Sequence, residues 1–434
     1  MRLRQRRPWH CLRALTHGLG LIASLAVLVE PARAASGGNG PMPQVLLPIN
    51  GLGRADIALV VNDADPASVE TGRYYAAQRQ LAPEQIVHVS FEGGQATMPL
   101  AVFERIQSQL RAQLPTRIQA YALAWTQPYR VECMSITSAF AFGFNRDFCA
   151  EGCQVTRASP YFDSPSSAPH TELGLRPAMM LAGRSVEEVR ALIDRGLRAD
   201  DRWPTGTAYL LSTGDRKRNV RADTYDAVRA QLRTAYALRR LDANALEGAQ
   251  DVMFYFTGAQ QVAAVASNRF LDGAVADHLT SLGGMLTDSS QMSALDWLSA
   301  GATGSFGNTV EPCNYLTKFP DIGVLMRRYL GGETLIEAYW KSVRMPGQGV
   351  FVGDPLARPF GGVRIERKGR ELVLRTHTLR PGRYAVQQAP GVVGPYRNLG
   401  QLVVGGAGVQ EVRLPLPAGT GVFRLLPLAA PLRR

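Results

Sequence analysis

Ala55 to Leu81 reads ADIALVVNDADPASVETGRYYAAQRQL. Its opening run is apolar up to Asn62-Asp63, the pattern of a strand buried on both faces in a parallel sheet. A helix is expected from Pro66: proline opens a first turn, Glu70 follows, and aromatic and apolar residues recur at helical spacing. Outward from this unit, QIVHVSF (Gln85–Phe91) and IQAYALAW (Ile118–Trp125) read as further strands, with a helix between them from about Leu100 to Leu114. Strand, helix, strand, helix, strand is an α/β layout, for which right-handed crossovers are expected.

Residues 126–176 are irregular and rich in aromatics, cysteines and Ser/Pro clusters; so long a loop in a compact domain is usually functional or pinned by disulfides. PAMMLAG (Pro177–Gly183) reads as strand. SVEEVRALIDRGLRAD reads as helix, with Ser185 as cap, Glu188 three residues on, and Val186, Val189, Leu192, Ile193 and Leu197 on one face. GTAYLLST and DVMFYFTG read as strands, and 222–240 as a basic helix. Helical or loop segments are expected around LTSLGGMLTD, then a helix in SALDWLSAGA, strand or turn in TGSFGNT, and two helices split by Gly331-Gly332. VFVGDP (Val350–Pro355) is expected to return to the sheet edge. There Gly353 permits a tight turn, Asp354 can bond its own loop, and Pro355 ends the strand. After Phe360, short alternating runs broken by Gly and Pro describe an antiparallel β-domain.

The 434 residues are 46% hydrophobic and 19% charged, enough for one large domain and a small one. Part of the formal charge of +12 belongs to residues 1–34, which resemble a secretory signal: a basic start, an apolar Leu19–Val29, and Ala32-Arg33-Ala34 before an expected cleavage. The remaining chain holds 42 basic and 35 acidic residues, with no clustered basic stripe and no reading motif, so nucleic acid is not an expected partner. No later run of eighteen apolar residues occurs, so no stable membrane span is expected after cleavage. Four cysteines remain, an even number that suggests two disulfides in an exported protein. Cys149 and Cys153 form a natural local pair, leaving Cys133 for Cys313, although three pairings are open. Cys-x3-Cys without a second close pair argues against zinc, and no cofactor is expected.

The chemistry-bearing residues are sparse. His88 falls inside a strand pattern and reads as packed; His170 lies in the long loop and His377 in the β-domain. His278 and Ser281 are the one close His/Ser pair, three apart, which on a helix would let them touch. Gly-x-Ser-x-Gly, His-Glu-x-x-His and the phosphate-cradling glycine loop are absent, and GLGRAD (Gly51–Asp56) precedes its strand instead of following it. Asp63 and Asp65 follow the first strand, Asp288 and Glu311 lie in polar loops, and Asp354 follows the last strand. A cluster of these could hold a metal or act as acid and base; singly, each caps a loop.

LTSLGG, GATGSFGNTVEPC, KFP, YLGGETLIEAYWKSV and GDPLARPF, together with ALVVNDADPASVETGRYYAAQRQLAPEQI, resemble an uncharacterised family of exported bacterial proteins, sporadic in genomes with a sorting system for short C-terminal signals. More distantly, the order of elements up to Gly-Asp-Pro resembles the gingipain-type cysteine peptidases, which implies a caspase-like α/β fold followed by an immunoglobulin-like domain. In that family a Gly-His ends one strand and a Cys the next. The matching positions here are Gly258-Ala259 and the neighbourhood of Leu282-Gly283-Gly284, where no imidazole or thiol stands. Cys313 comes too late in the chain to be the nucleophile.

The expectation is therefore a signal peptide at 1–34, an extended segment at 35–49, a caspase-like or flavodoxin-like α/β domain at 50–360 with the loop 126–176 pinned by disulfides, and a β-sandwich at 361–430. Its expected function is that of a periplasmic or extracellular, non-catalytic, peptidase-like scaffold or binding protein whose partner is another exported or surface protein. The alternatives are a hydrolase built from Asp63, His278, Ser281, Glu311 or Asp354, and a carbohydrate- or surface-binding protein.

Overall fold

The computed structural model describes residues 42–48, 51–150, 152–406, 408–415 and 421–428; the expected signal and its cleavage site lie outside them. The chain is a mixed α/β architecture with several β-sheets and flanking helices. Ten strands form the main sheet: β1 (Ile57–Asn62), β2 (Ile86–Val89), β3 (Ala120–Leu123), β4 (Ala178–Met180), β5 (Thr207–Ser212), β6 (Ala237–Asp242), β7 (Val252–Gly258), β8 (Phe270–Leu279), β9 (Gly304–Asn308) and β10 (Gly349–Gly353). Their order is β6-β5-β7-β8-β9-β10-β4-β3-β1-β2. β2, β1, β3 and β4 pair in parallel, as do β6, β5, β7, β8 and β9, whereas β9 and β10 are antiparallel.

Every residue of β1 is buried, because Ile57, Leu59 and Val61 face one helical layer and Ala58 and Val60 the other. The first layer holds α1 (Pro66–Arg79), and the second holds α2 (Leu100–Gln113) and α3 (Ile136–Phe142). Helix α4 (Val186–Ala199) joins α1 through Val189 and Ile193, and Ser185 caps it as its sequence indicates, accepting from the Glu188 amide at 3.3 Å. Further along come α5 (Tyr225–Leu232), α6 (Ala294–Ser299), α7 (Ile322–Leu330) and α8 (Leu335–Ser342). Among the described residues no helix is long and apolar enough to cross a membrane.

Three local readings need correction. The helix expected over 222–240 stops at Leu232, and Ala237–Asp242 is a strand; as an edge strand with mostly exposed side chains, it carries no apolar alternation. Phe270–Leu279 is a ten-residue strand and not helix or loop, so His278 and Ser281 do not share a helix. β10 lies at the centre of the sheet and not at its edge, beside β9 and touching β4 where Val352 faces Met180.

Beyond Phe360 the chain forms β11 (Val363–Lys368), β12 (Glu371–Thr376), β13 (Gly382–Ala389), β14 (Arg397–Val404), β15 (Gln410–Pro415) and β16 (Val422–Leu428). β11-β12-β15 is one sheet. β16-β13-β14 is another, joined by the short strand Gln44–Leu46 from the N-terminal segment. Leu372, Leu374, Val412 and Leu414 from the first sheet and Tyr384, Val386, Phe423 and Leu425 from the second share one core.

The two disulfides are Cys133–Cys149 and Cys153–Cys313, with Cα atoms 5.3 and 5.5 Å apart. This corrects the expected Cys149–Cys153 pair. Cys149 ends a short helical turn over Arg146–Phe148 that folds back on Cys133, leaving exposed Cys153 to meet the loop after β9.

Candidate functional site

The residues expected to carry chemistry do not converge. Asp354, at the end of β10, is fully buried and structural. It accepts from the Arg79 guanidinium, from the Tyr75 hydroxyl at 3.2 Å and from the Leu356 amide at 3.2 Å, while Arg79 also holds Asp200. Two glycines make room. Gly353 has φ +149°, and a Cβ on it would lie 2.6 Å from the Thr303 carbonyl oxygen; a Cβ on Gly196 of α4 would lie 2.0 Å from Asp354 Oδ2. The sequence reading of a loop-bonding aspartate holds for Leu356 but misses Arg79, which sits 275 positions earlier.

His278 is 2% exposed. Its Nδ1 accepts from Trp297 Nε1 at 2.9 Å and its Nε2 lies 3.1 Å from the Met292 carbonyl oxygen, so the geometry fixes a neutral ring that carries its proton on Nε2. Burial pushes its pKa down to about 4. Ser281 stands two residues past the end of β8, and both nitrogens of the ring it was to pair with are already taken. Glu311 caps a turn, accepting from the Cys313 amide at 2.7 Å. Asp63 Oδ1 is 2.7 Å from His88 Nδ1. His88 is exposed and not packed, because Val87 and Val89 turn inward on β2 and the residue between them must face out. Asp65 accepts from the Ala67 amide as the cap of α1, and Asp288 accepts from the Tyr129 hydroxyl. Among the described residues no group of three or more His, Cys, Asp or Glu side chains gathers to hold a metal.

A cavity of about 500 Å³ lies instead where strand order reverses. The chain runs from β1 out to β2, then crosses back to β3 on the other side of β1, so the loops after β1 and β3 part and leave a crevice. Its walls are the first turns of α1 (Asp65–Ser68) and α4 (Ser185, Val186), the Gly93-Gly94 turn, Thr126-Gln127, and Thr287 from the loop after β8. Side-chain bonds hold these walls. The Asn62 side chain clasps both backbone groups of Phe91 at 3.0 Å, Thr126 Oγ1 donates to the Gly183 carbonyl at 2.8 Å, and Gln127 Nε2 donates to Thr287 Oγ1 at 2.6 Å. The lining groups that carry charge are Asp65, already a cap, and Arg184, which donates to Asp296 Oδ1 and Ser299 Oγ, each at 2.7 Å. Hydroxyls, amides and two helix N-termini can bind a polar ligand, but among the described residues no nucleophile–base pair faces the space.

Sequence reasoning located Asp65 and the Ser185 cap but not the crevice, because strand order is not written in any local pattern. It also missed Arg221–Asp277, an ion pair buried beneath β8 with Arg221 Nη2 2.6 Å from Asp277 Oδ1. No protein-family model, no curated protein and no solved structure matches the chain.

Proposed function

We propose that this is an exported binding protein of the cell envelope or secretion pathway: a peptidase-like, caspase-type scaffold without catalysis that holds a small polar ligand in the crevice between β1 and β3. One observation carries the reading. His278, the buried histidine near the strand ends, has both ring nitrogens engaged by Trp297 and Met292, so it has no free lone pair with which to serve as a base. The positions aligned with a peptidase dyad support it. Ala259 follows β7 with no group that can accept a proton. Gly284 packs on the backbone of Gly307, where a Cβ would come 2.3 Å from the carbonyl oxygen, leaving no room for a thiol side chain.

The test uses the chain from Ala35 onward in a thermal-shift screen of sugars, amino acids, dipeptides and nucleotides, beside an Ala67→Trp variant. Ala67 is exposed on the first turn of α1 and lines the crevice, so an indole there fills the space without disturbing the core. The expected outcome is a ligand that raises the melting temperature of the wild type and not of the variant. Turnover of casein and p-nitrophenyl esters is expected to stay at background; turnover that His278→Ala abolishes in a folded protein would overturn the reading.

A hydrolase is the second reading, and the exposed Asp63–His88 contact favours it, since a carboxylate orients an imidazole in this way. No serine, threonine or cysteine side chain is hydrogen-bonded to that ring among the described residues. Ester turnover lost on His88→Ala would select this reading over the first.

A further inference from the structure

The free bonds of the crevice between β1 and β3 set the chemistry of its ligand. Thr71, on the second turn of α1, lines the space and is 4% exposed, and its hydroxyl makes no hydrogen bond among the described residues. It is not one of the unbonded polar atoms sealed from solvent, so it opens on the crevice. Ser68, 1% exposed, accepts from the Asn62 amide at 2.9 Å, while its own proton has no acceptor among the described residues. Gln127 Nε2 donates to Thr287 Oγ1, which leaves the Thr287 proton and Gln127 Oε1 without partners among the described residues. These groups donate and accept side by side, which matches a ligand whose own hydroxyls do both. Polar groups this deeply buried are costly to leave unmade, so a ligand that completes them is favoured.

The charged groups around the crevice are already engaged. Asp65 accepts from the Ala67 amide at the N-terminus of α1. At the N-terminus of α4, the Ser185 hydroxyl and the Glu187 amide hold the Glu187 carboxyl below its usual range, and Glu188 accepts from the Arg184 amide at 2.9 Å. Each helix N-terminus therefore already faces a carboxylate of the chain, which offsets its attraction for an anion. The Arg184 guanidinium is tied to Asp296 and Ser299, so an incoming anion would meet Asp65 and Glu187 with no uncommitted cation in the lining. Trp125 is the one aromatic side chain of the lining and is 2% exposed, so no ring face is open to a nucleobase. Pro66 and Ala67 are exposed and Val186 is half-buried, a shallow aliphatic surface for C–H groups. The cavity of about 500 Å³ lies within the range of about 300–1,000 Å³ usual for small-molecule sites.

We propose that the ligand of the crevice is a neutral mono- or disaccharide, hydrogen-bonded through its hydroxyls to Thr71, Ser68, Thr287 and Gln127. This rests on the binding reading above and narrows it to one chemical class. The probes are glucose, galactose, N-acetylglucosamine, maltose and cellobiose, titrated calorimetrically into the chain from Ala35, with glucose 6-phosphate and N-acetylglucosamine 6-phosphate as charged counterparts. At least one neutral sugar is expected to bind the wild type and not Ala67→Trp, and the phosphorylated sugars to bind at least about tenfold more weakly. Thr71→Val exchanges an unbonded hydroxyl for a methyl. It should leave the melting temperature unchanged, since no hydrogen bond inside the fold is lost, and should weaken the sugar about fivefold, the loss of one hydrogen bond. A phosphorylated sugar bound as tightly as the neutral one, sugar binding undiminished in Thr71→Val, or a lowered melting temperature of that variant overturns the proposal. So does a crevice that binds an amino acid, dipeptide or nucleotide, with loss in Ala67→Trp, but no neutral sugar up to about 10 mM; that result keeps the binding reading and removes only the sugar. Absence of binding by every class removes both.

Discussion

Replacing His278 by glutamine tests whether its ring is structural. The ring titrates at about 4 in the fold, against an ordinary value of 6.5. Between those values the unfolded chain binds a proton that the folded one refuses, so stability is full above pH 6.5 and is lost as pH falls toward 4. Integrated from neutral pH to pH 4.5, this single ring withdraws about 2.5 kcal/mol from the wild type, at about 1.4 kcal/mol per pKa unit. Glutamine does not titrate there. At pH 7.5 it distorts two buried hydrogen bonds, those to Trp297 and Met292, at a cost of about 2 kcal/mol. Urea denaturation with the disulfides intact, followed by tryptophan fluorescence, should therefore show the variant about 2 kcal/mol weaker at pH 7.5 and nearly level with the wild type at pH 4.5. Other acid-sensitive groups, including His377 with its own value of about 4, act equally in both proteins and cancel from the difference. A gap that stays constant between the two pH values would mean the ring is protonated freely in the fold, and the argument that His278 cannot act as a base would fail.

Asp354→Asn should destabilise by about 3 kcal/mol, the low end for removing one partner of a buried pair because Asp200 still faces Arg79; a silent substitution in the same denaturation assay would return Asp354 to the list of ligand-binding groups. The two disulfides should differ in weight. Replacing Cys153 and Cys313 by serine opens a crosslink of 160 residues, about 5 kcal/mol on the chain-entropy account, against about 3 kcal/mol for the 16 residues closed by Cys133–Cys149. Equal shifts in the urea midpoint would contradict that ranking.

The strands legible in the sequence are those whose buried run is mainly apolar: IALVVN and VMFYFTG are buried at every residue. β8 was hidden for the same physical reason that makes it informative. FLDGAVADHL carries Asp277 and His278 in a buried segment, and what permits this is Arg221 and Trp297, respectively 56 positions before Asp277 and 19 after His278. Neither partner is visible in a local window. β6 was hidden because an edge strand needs no apolar face. The cysteine pairing failed because nearness in sequence was weighed above the path of the chain between residues 133 and 149. The crevice was legible only in its parts, since what opens it is the crossing from β2 over β1 to β3.

Charge inside this fold works mainly as a link between distant segments. Arg79 ties α1 to Asp354 and Asp200; Arg328 and Lys341 meet on Glu333, which Arg380 also reaches from beyond Phe360. A buried cation whose donors meet protein carboxylates has little left to offer a ligand, because an incoming anion must face those carboxylates as well. Arg79 shows this well. It lines a cavity of about 310 Å³ with Arg54, Arg358, Asp200 and Asp201, yet its own guanidinium is held between Asp200 and Asp354 and its unbonded Nε is buried. Arg221 offers no more: its Nη2 is held by Asp277 and the Thr257 carbonyl, and its Nε and Nη1 are buried away from any space an anion could enter. Thus both arginines serve as links within the fold, Arg79 reaching Asp354 across 275 positions and Arg221 reaching Asp277 across 56.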